Sequence, residues 1–268
     1  MCLRCLGSSK SKFIWLAAWS LAGATLLPAT VPYRELVAPD TVLRDLKGAV
    51  REMHELSYKL GKQGERILQG EKTAQFDREG YLVMERTKEG PVAAWTTETR
   101  TYVEDPAKLP PWKGYDRMLE TDLAKRLVTW RARDSVGRLL LAKEVTYDAF
   151  RKVVAGRDYD ATGRLAQSYR VTRDARGLGT EILFLDASGQ VKYRSVPAWD
   201  ERDIMIGSRD EFMADHSTAV RKFDPVAVDA AGNWTELHKG GKFLDKAGEH
   251  PIPPEVIVRV FEYYAPES

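Results

Sequence analysis

The residues that could carry chemistry are few. Four histidines occur, His54, His216, His238 and His250, and no two have the i, i+4 or cysteine-paired spacing of a zinc site, so no metal is expected. Asp215-His216-Ser217 contains the residue types of a hydrolytic triad. Neighbours in an extended chain point to opposite faces, so these three cannot form a proton relay among themselves. No Gly-x-Ser-x-Gly elbow presents a nucleophile. Asp158-Tyr-Asp160-Ala-Thr162-Gly163 imitates the start of a calcium loop, but the twelfth position is Tyr169 rather than a bidentate Glu. Gly177-Leu-Gly179 lacks the third glycine of a dinucleotide loop. No cofactor and no catalytic residue is therefore expected. The tryptophans remain. Trp130 and Trp234 fall in strand patterns and read as core, whereas Trp95, Trp112 and Trp199 lie near prolines and charges. Such residues stack on sugars, anchor a protein partner, or pack beneath a loop. They are the candidate binding residues.

The elements that position these residues follow from repetition. The pattern Asp-x-x-Gly occurs at Asp45-Gly48, Asp77-Gly80, Asp134-Gly137, Asp160-Gly163, Asp174-Gly177, Asp186-Gly189, Asp229-Gly232 and Asp245-Gly248. That is several-fold more than 19 Asp and 20 Gly in 268 residues would give at random. A type I turn followed by a left-handed residue has this need. Asp at its first position accepts a backbone N–H from two residues on, and Gly takes positive φ without a steric cost. In six of the eight, an apolar residue follows two places after Gly: Val50, Leu82, Leu139, Leu165, Val191 and Trp234. A strand is expected to start at each. Asp134, Asp160 and Asp186 lie 26 apart, with Asp174 between the last two. A step near 13 is one strand plus one turn, and consecutive strands joined by tight turns are antiparallel neighbours. The expectation is an all-β fold, an antiparallel meander of about a dozen strands.

Two regions depart from the pattern. Residues 88–126 contain Pro91, Pro106, Pro110 and Pro111, and Met118, Leu119, Leu123 and Leu127 have helical spacing, which predicts a Pro-rich insertion with a helix over Asp116–Arg126. Over 42–60 the apolar spacing suits a helix, yet Gly48 would interrupt it; a short helix ending near Gly48 and a strand from Ala49 to Lys59 is the preferred reading. Val256–Tyr264 is rich in β-formers and should close the sheet. Asp200-Glu-Arg-Asp203 and Arg209-Asp-Glu211 read as solvated loops.

Arg4, Lys10 and Lys12 precede an apolar run from Phe13 to Leu27, within which Ala22-Gly23-Ala24 offers a small-residue cleavage point, with Ala29 just beyond the run as the alternative. These features predict a signal peptide over 1–30, cut near 24–30, and one β-rich domain over 31–268. Loss of residues 1–24 removes three basic residues and no acid, leaving 38 basic against 39 acidic. No basic tract for nucleic acid remains, and both cysteines, Cys2 and Cys5, leave with the leader. A periplasmic or secreted location follows, with membrane contact only through the leader.

Tyr159-Asp-Ala-Thr-Gly-Arg-Leu165 and Val228-Asp-Ala-Ala-Gly-Asn-Trp-Thr235 resemble YD repeats, the strand–turn–strand units of RHS-type bacterial proteins. Leu46-Lys-Gly-Ala-Val50 and the closing Val-Arg-Val-Phe-Glu-Tyr-Tyr are similar to the ends of small exported bacterial proteins built from such units. Phe76, Leu185 and Val228 stand where the repeat has Tyr. The resemblance implies a scaffold sheet and no particular activity. The expected function is an exported, non-enzymatic binding or scaffold protein of the cell envelope, with a protein or glycan partner. The competing expectation is a glycan-acting enzyme with two carboxylates under the 88–126 insertion.

Overall fold

The computed structural model describes residues 39–99 and 116–266, so the leader and Trp112 lie outside the described residues. A short helix α1 (Asp40–Leu43) precedes β1 (Val50–Leu60), β2 (Arg66–Phe76), β3 (Leu82–Glu89) and β4 (Thr96–Thr99). The meander continues through β5 (Asp116–Asp122), β6 (Leu127–Arg133), β7 (Leu139–Tyr147), β8 (Val153–Tyr159), β9 (Leu165–Arg173) and β10 (Gly179–Asp186). It ends with β11 (Val191–Trp199), β12 (Met205–Phe212), β13 (Ser217–Val228), β14 (Trp234–Asp245) and β15 (Gly248–Tyr263). All share one antiparallel sheet in the order β4-β3-β2-β1-β15-β14 and so on down to β5. The expected all-β meander is the observed fold, and each of the six apolar residues named above opens a strand.

The turns explain the meander. At Asp77, Asp134, Asp160, Asp174, Asp186 and Asp229 the same four hydrogen bonds recur. In the Asp160 turn, the Gly163 N–H donates to the Asp160 carbonyl at 3.0 Å and the Asp160 N–H to the Arg164 carbonyl at 2.9 Å. The Thr162 and Arg164 N–H groups both donate to Asp160 Oδ1. Two further turns, at Asp148 and Asp200, have the same bonds with Arg151 and Asp203 in the left-handed place of Gly. Two of the Asp-x-x-Gly units do something else. Asp45-Gly48 links α1 to β1, with Asp45 itself at φ +54°, and Asp245 pairs directly with Gly248 across a two-residue loop.

Among the described residues the sheet is open, with β4 and β5 as its edges. Fifteen strands, each antiparallel to its neighbour, leave the outer strands β4 and β5 running the same way, so joining them directly would need a parallel pair. β15 does not close the sheet on itself; it pairs with β1 and joins the N-terminal hairpins to the rest. The sheet nonetheless curls. Arg151, between β7 and β8, reaches Tyr81, beside the β2–β3 turn, at 3.4 Å. The inner face of the curl carries the core: Leu46, Val50, Met53, Ala74, Phe76 and Leu82 form one cluster, and Phe223, Leu237 and Ile257 another. The outer face carries cross-strand ion pairs such as Arg66–Glu236 (2.7 Å) and Arg194–Glu181 (2.7 Å).

Two expectations are corrected. Asp116–Asp122 is strand β5, not a helix: seven of its residues pair with β6, and Leu123–Arg126 form the turn between them, with Asp122 Oδ1 accepting the Lys125 N–H. The helical spacing of Met118, Leu119, Leu123 and Leu127 arose because a strand, a turn and a second strand happen to be adjacent. Arg209-Asp-Glu211 is not a loop but lies within β12, where Asp210 is wholly buried. The 42–60 reading holds in outline, with α1 ending at Leu43 and β1 starting at Val50.

Candidate functional site

Hairpin turns alternate between the two ends of the sheet. One end carries the turns at Asp77, Asp148, Asp174, Asp200 and Asp229, and the segment 39–48 crosses it. The Thr41 N–H donates to the Gly80 carbonyl at 3.0 Å, and Asp40 Oδ2 accepts the Leu82 N–H at 3.0 Å. Arg44 pairs with Glu85 at 2.7 Å. Farther along, Asn233 binds the Lys47 backbone from both sides: its Oδ1 accepts the Lys47 N–H at 2.6 Å and its Nδ2 donates to the Lys47 carbonyl at 2.7 Å. Leu46 is buried among Val50, Met53 and Phe76. We call this the capped end.

Where the segment meets the Asp148 and Asp174 turns it leaves a groove of about 410 Å³. Pro39, Val42 and Phe150 line it with apolar surface, and Arg151, Lys152 and Arg176 line it with positive charge. Phe150 is 62% exposed, the third residue of a turn fixed by Asp148, whose Oδ1 accepts the Phe150 and Lys152 N–H groups. The cations are held in place. Arg176 pairs with Asp174 at 3.1 Å and Asp203 at 2.6 Å, and Lys152 Nζ donates to the Gly177 carbonyl at 3.3 Å. Beneath them Arg173 donates to the Gly177 and Val153 carbonyls and faces Asp148 at 3.5 Å. A rigid rim of this kind holds no nucleophile and suits a ligand with an acidic and an apolar part.

The inner face carries a second set of charges. Arg259 Nε donates to Glu55 Oε2 at 2.7 Å, and the guanidinium lies 3.6 Å from the centroid of the Trp234 ring. Burial opposes ionisation of Glu55, but Arg259, Lys72 and Lys239 outweigh it and hold the carboxyl at about 2. Asp210 accepts hydrogen bonds from Tyr193 (3.0 Å), Ser195 (2.5 Å) and Ser208 (3.2 Å) and pairs with Arg221. Lys143 pairs with Asp158 at 3.2 Å. Each of these three inward carboxylates thus faces a cation.

The sequence-derived candidates scatter. Trp95 lies on the outer face, with the Arg86 and Lys88 side chains 5.0 and 5.9 Å from its ring. Trp199 ends β11, where its indole N–H donates to the Gly179 carbonyl at 2.7 Å. Trp112 is outside the described residues. His216 is the left-handed residue of the β12–β13 turn at φ +58°, and Ser217 Oγ donates to Asp215 at 2.7 Å as a turn bond. His238 contacts Glu236, and His250 contacts Asp245. Asp160 caps its hairpin, and Gln167 Nε2 donates to Asp158. Among the described residues no three His, Cys, Asp or Glu side chains come together as a metal site. The groove was missed because its signal is a longer spacing. Asp122, Asp148, Asp174 and Asp200 also lie 26 apart, and an Asp-first search without the Gly would have placed four turns on one rim.

No protein-family model matches the chain, and no curated protein matches its sequence. Among solved structures, the chain is similar to a porin-like protein from Bacteroides uniformis at 7% identity and a TM-score of 0.43, covering 81% of this chain and 99% of that one. It is similar to kievitone hydratase from Nectria haematococca at 8% identity and 0.26, covering 90% and 95%. It is also similar to a Photorhabdus luminescens Tc holotoxin pore at 11% identity and 0.15, covering 68% of this chain and 11% of that one. At these scores none of the three bears on function.

Proposed function

We propose that this is an exported, non-catalytic binding protein of the bacterial cell envelope, taking a protein partner at the capped end. The partner presents an acidic segment with an apolar side chain. The observation that carries this reading is the groove: an exposed phenylalanine beside Arg151 and Lys152, on turns held by repeated hydrogen bonds. A rigid site loses little entropy when it binds, and charge complementarity favours an acidic partner.

The test uses the full chain. Wild type and a Phe150→Asp, Arg151→Glu double variant are each titrated with synthetic peptides carrying an aromatic or aliphatic residue between acidic ones, and with acidic oligosaccharides. Peptide binding by the wild type and its loss in the variant, with melting unchanged, supports the reading. Equal peptide binding by both proteins, or binding of the oligosaccharides alone, overturns it.

A further inference from the structure

The capped end carries a second exposed apolar tip beside the groove. Leu123–Arg126 is the turn between β5 and β6, and the Tyr147 N–H at the end of β7 donates to the Arg126 carbonyl at 2.9 Å. That bond sets this turn next to the Asp148 turn, which carries Phe150. Along the rim the order is the Asp174 turn, the groove, the Asp148 turn and then the Leu123 turn. Leu123 is 52% exposed. It cannot fill the groove of its own chain, because the Asp148 turn stands between and both turns are pinned: Asp122 Oδ1 accepts the Lys125 N–H at 3.0 Å, and Asp148 Oδ1 accepts those of Phe150 and Lys152. Charges of both signs flank each feature. Asp122 pairs with Lys125 at 2.7 Å beside Leu123, and Arg176 pairs with Asp203 at 2.6 Å beside the groove.

We propose that the capped end is a self-association surface, on which two copies pair about a two-fold axis and each places Leu123 in the other's groove. This rests on the groove reading above and names its partner as a second copy of this chain: Glu120 and Asp122, beside Leu123, are the acidic segment with an apolar side chain. A two-fold contact is isologous, so one surface must hold both a knob and its seat. Here the Leu123 knob and the groove lie on opposite sides of the Asp148 turn, and an axis passing beside Phe150 exchanges them. Phe150 then meets Phe150 of the second copy, a favourable aromatic pairing. The same exchange sets the Asp122–Lys125 pair over the Arg176–Asp203 pair, so each charge finds one of opposite sign. Turns already fixed by hydrogen bonds lose little freedom on association. A contact made by three turns and α1 belongs to the size class below about 1,200 Å² that gives weak interfaces, so the dimer dissociates on dilution.

The full chain is followed by sedimentation equilibrium over a wide range of concentration, and wild type should pass from monomer to dimer. Leu123→Asp and Phe150→Asp each break both symmetric seats, so each should weaken association about a hundredfold. Both positions are exposed, so melting of the dilute monomer should not change. Mixing the two variants restores one seat, and a mixed dimer should form where neither variant dimerises alone. In a Cys2→Ser, Cys5→Ser background, Val42→Cys and Leu123→Cys proteins should form a disulfide with each other faster than either does with itself. Titration with the acidic peptides separates the two readings. A wild type that stays monomeric yet binds peptide overturns self-association and leaves the groove reading standing. A dimer lost in both variants, with no peptide bound by any protein, supports self-association and removes only the wider reading. A dimer that Leu123→Asp does not weaken overturns the proposal.

Discussion

The two ends of the sheet are built from the same turn and used differently. At the capped end the turn glycines are packed. A Cβ on Gly80 would meet Thr41 Oγ1 at 2.2 Å, and one on Gly232 would meet Lys47 Cδ at 3.2 Å. At the other end a Cβ on Gly137, Gly163 or Gly189 would meet nothing within 4 Å. Identical local chemistry therefore gives a bare rim in one place and a docking platform for the segment 39–48 in the other. The lesson is that the turn fixes the hairpin and says nothing of what the hairpin touches. That difference can be tested position by position.

The largest difference is expected in the core under the cap. Leu46→Ala removes a buried side chain packed on Val50, Met53 and Phe76 and should cost about 2–5 kcal/mol, read from urea midpoints. Val136→Ala, in an exposed turn at the open end, should stay within about 0.5 kcal/mol. A Leu46 effect as small as that of Val136 would mean that segment 39–48 does not hold the capped end.

Alanine at the two glycines separates strain from contact. Gly80 and Gly163 have φ of +86° and +78°, so each replacement incurs roughly 1–2 kcal/mol for left-handed backbone. Gly80→Ala must also displace Thr41, and should lower the melting temperature well beyond Gly163→Ala. Equal shifts would break the comparison.

The residue after the turn glycine sharpens it further. Asn233 and Arg164 occupy the same place in their units. Asn233→Ala leaves the Lys47 N–H and carbonyl without their side-chain partner, at a cost of about 1–3 kcal/mol, whereas Arg164→Ala at an exposed position should be nearly silent. Hydrogen exchange at Lys47 should accelerate in the first variant alone.

The last effect is spread over pH. The Glu55 carboxyl is held at about 2 in the fold against about 4.3 when unfolded. Its folded value is depressed, so its contribution is complete above about pH 4.3 and is lost as pH falls towards 2. Asp186, capping an open-end turn, is also held well below the usual carboxylate range, first by the Ser188 hydroxyl and then by Lys192. Stability should therefore decline below about pH 4.5, and Glu55→Gln should flatten the part of that slope that belongs to the inner face. A variant slope identical to wild type would show that the Glu55–Arg259 pair does not contribute.

The hairpins were legible because their chemistry is local: the carboxylate of a turn Asp reaches N–H groups two and four residues on, and the next apolar residue opens a strand. This gave the all-β class, the direction of the chain at each turn and the first residue of six strands. Pattern reading failed where two local signals overlapped, as at Met118–Leu127, where two strands and a turn imitate a helix. It also failed where Arg151 and Asp203 stand in the left-handed place that Gly normally marks. What tertiary structure alone decided is non-local. The pairing of β1 with β15 joins residues about as far apart as Glu55 and Arg259, whose ion pair spans 204 positions. The curl that sets Tyr81 against Arg151 and the groove beside Phe150 both follow from that pairing and the strand order. No spacing within a single hairpin encodes them, because each depends on which faces and ends meet after the sheet has formed.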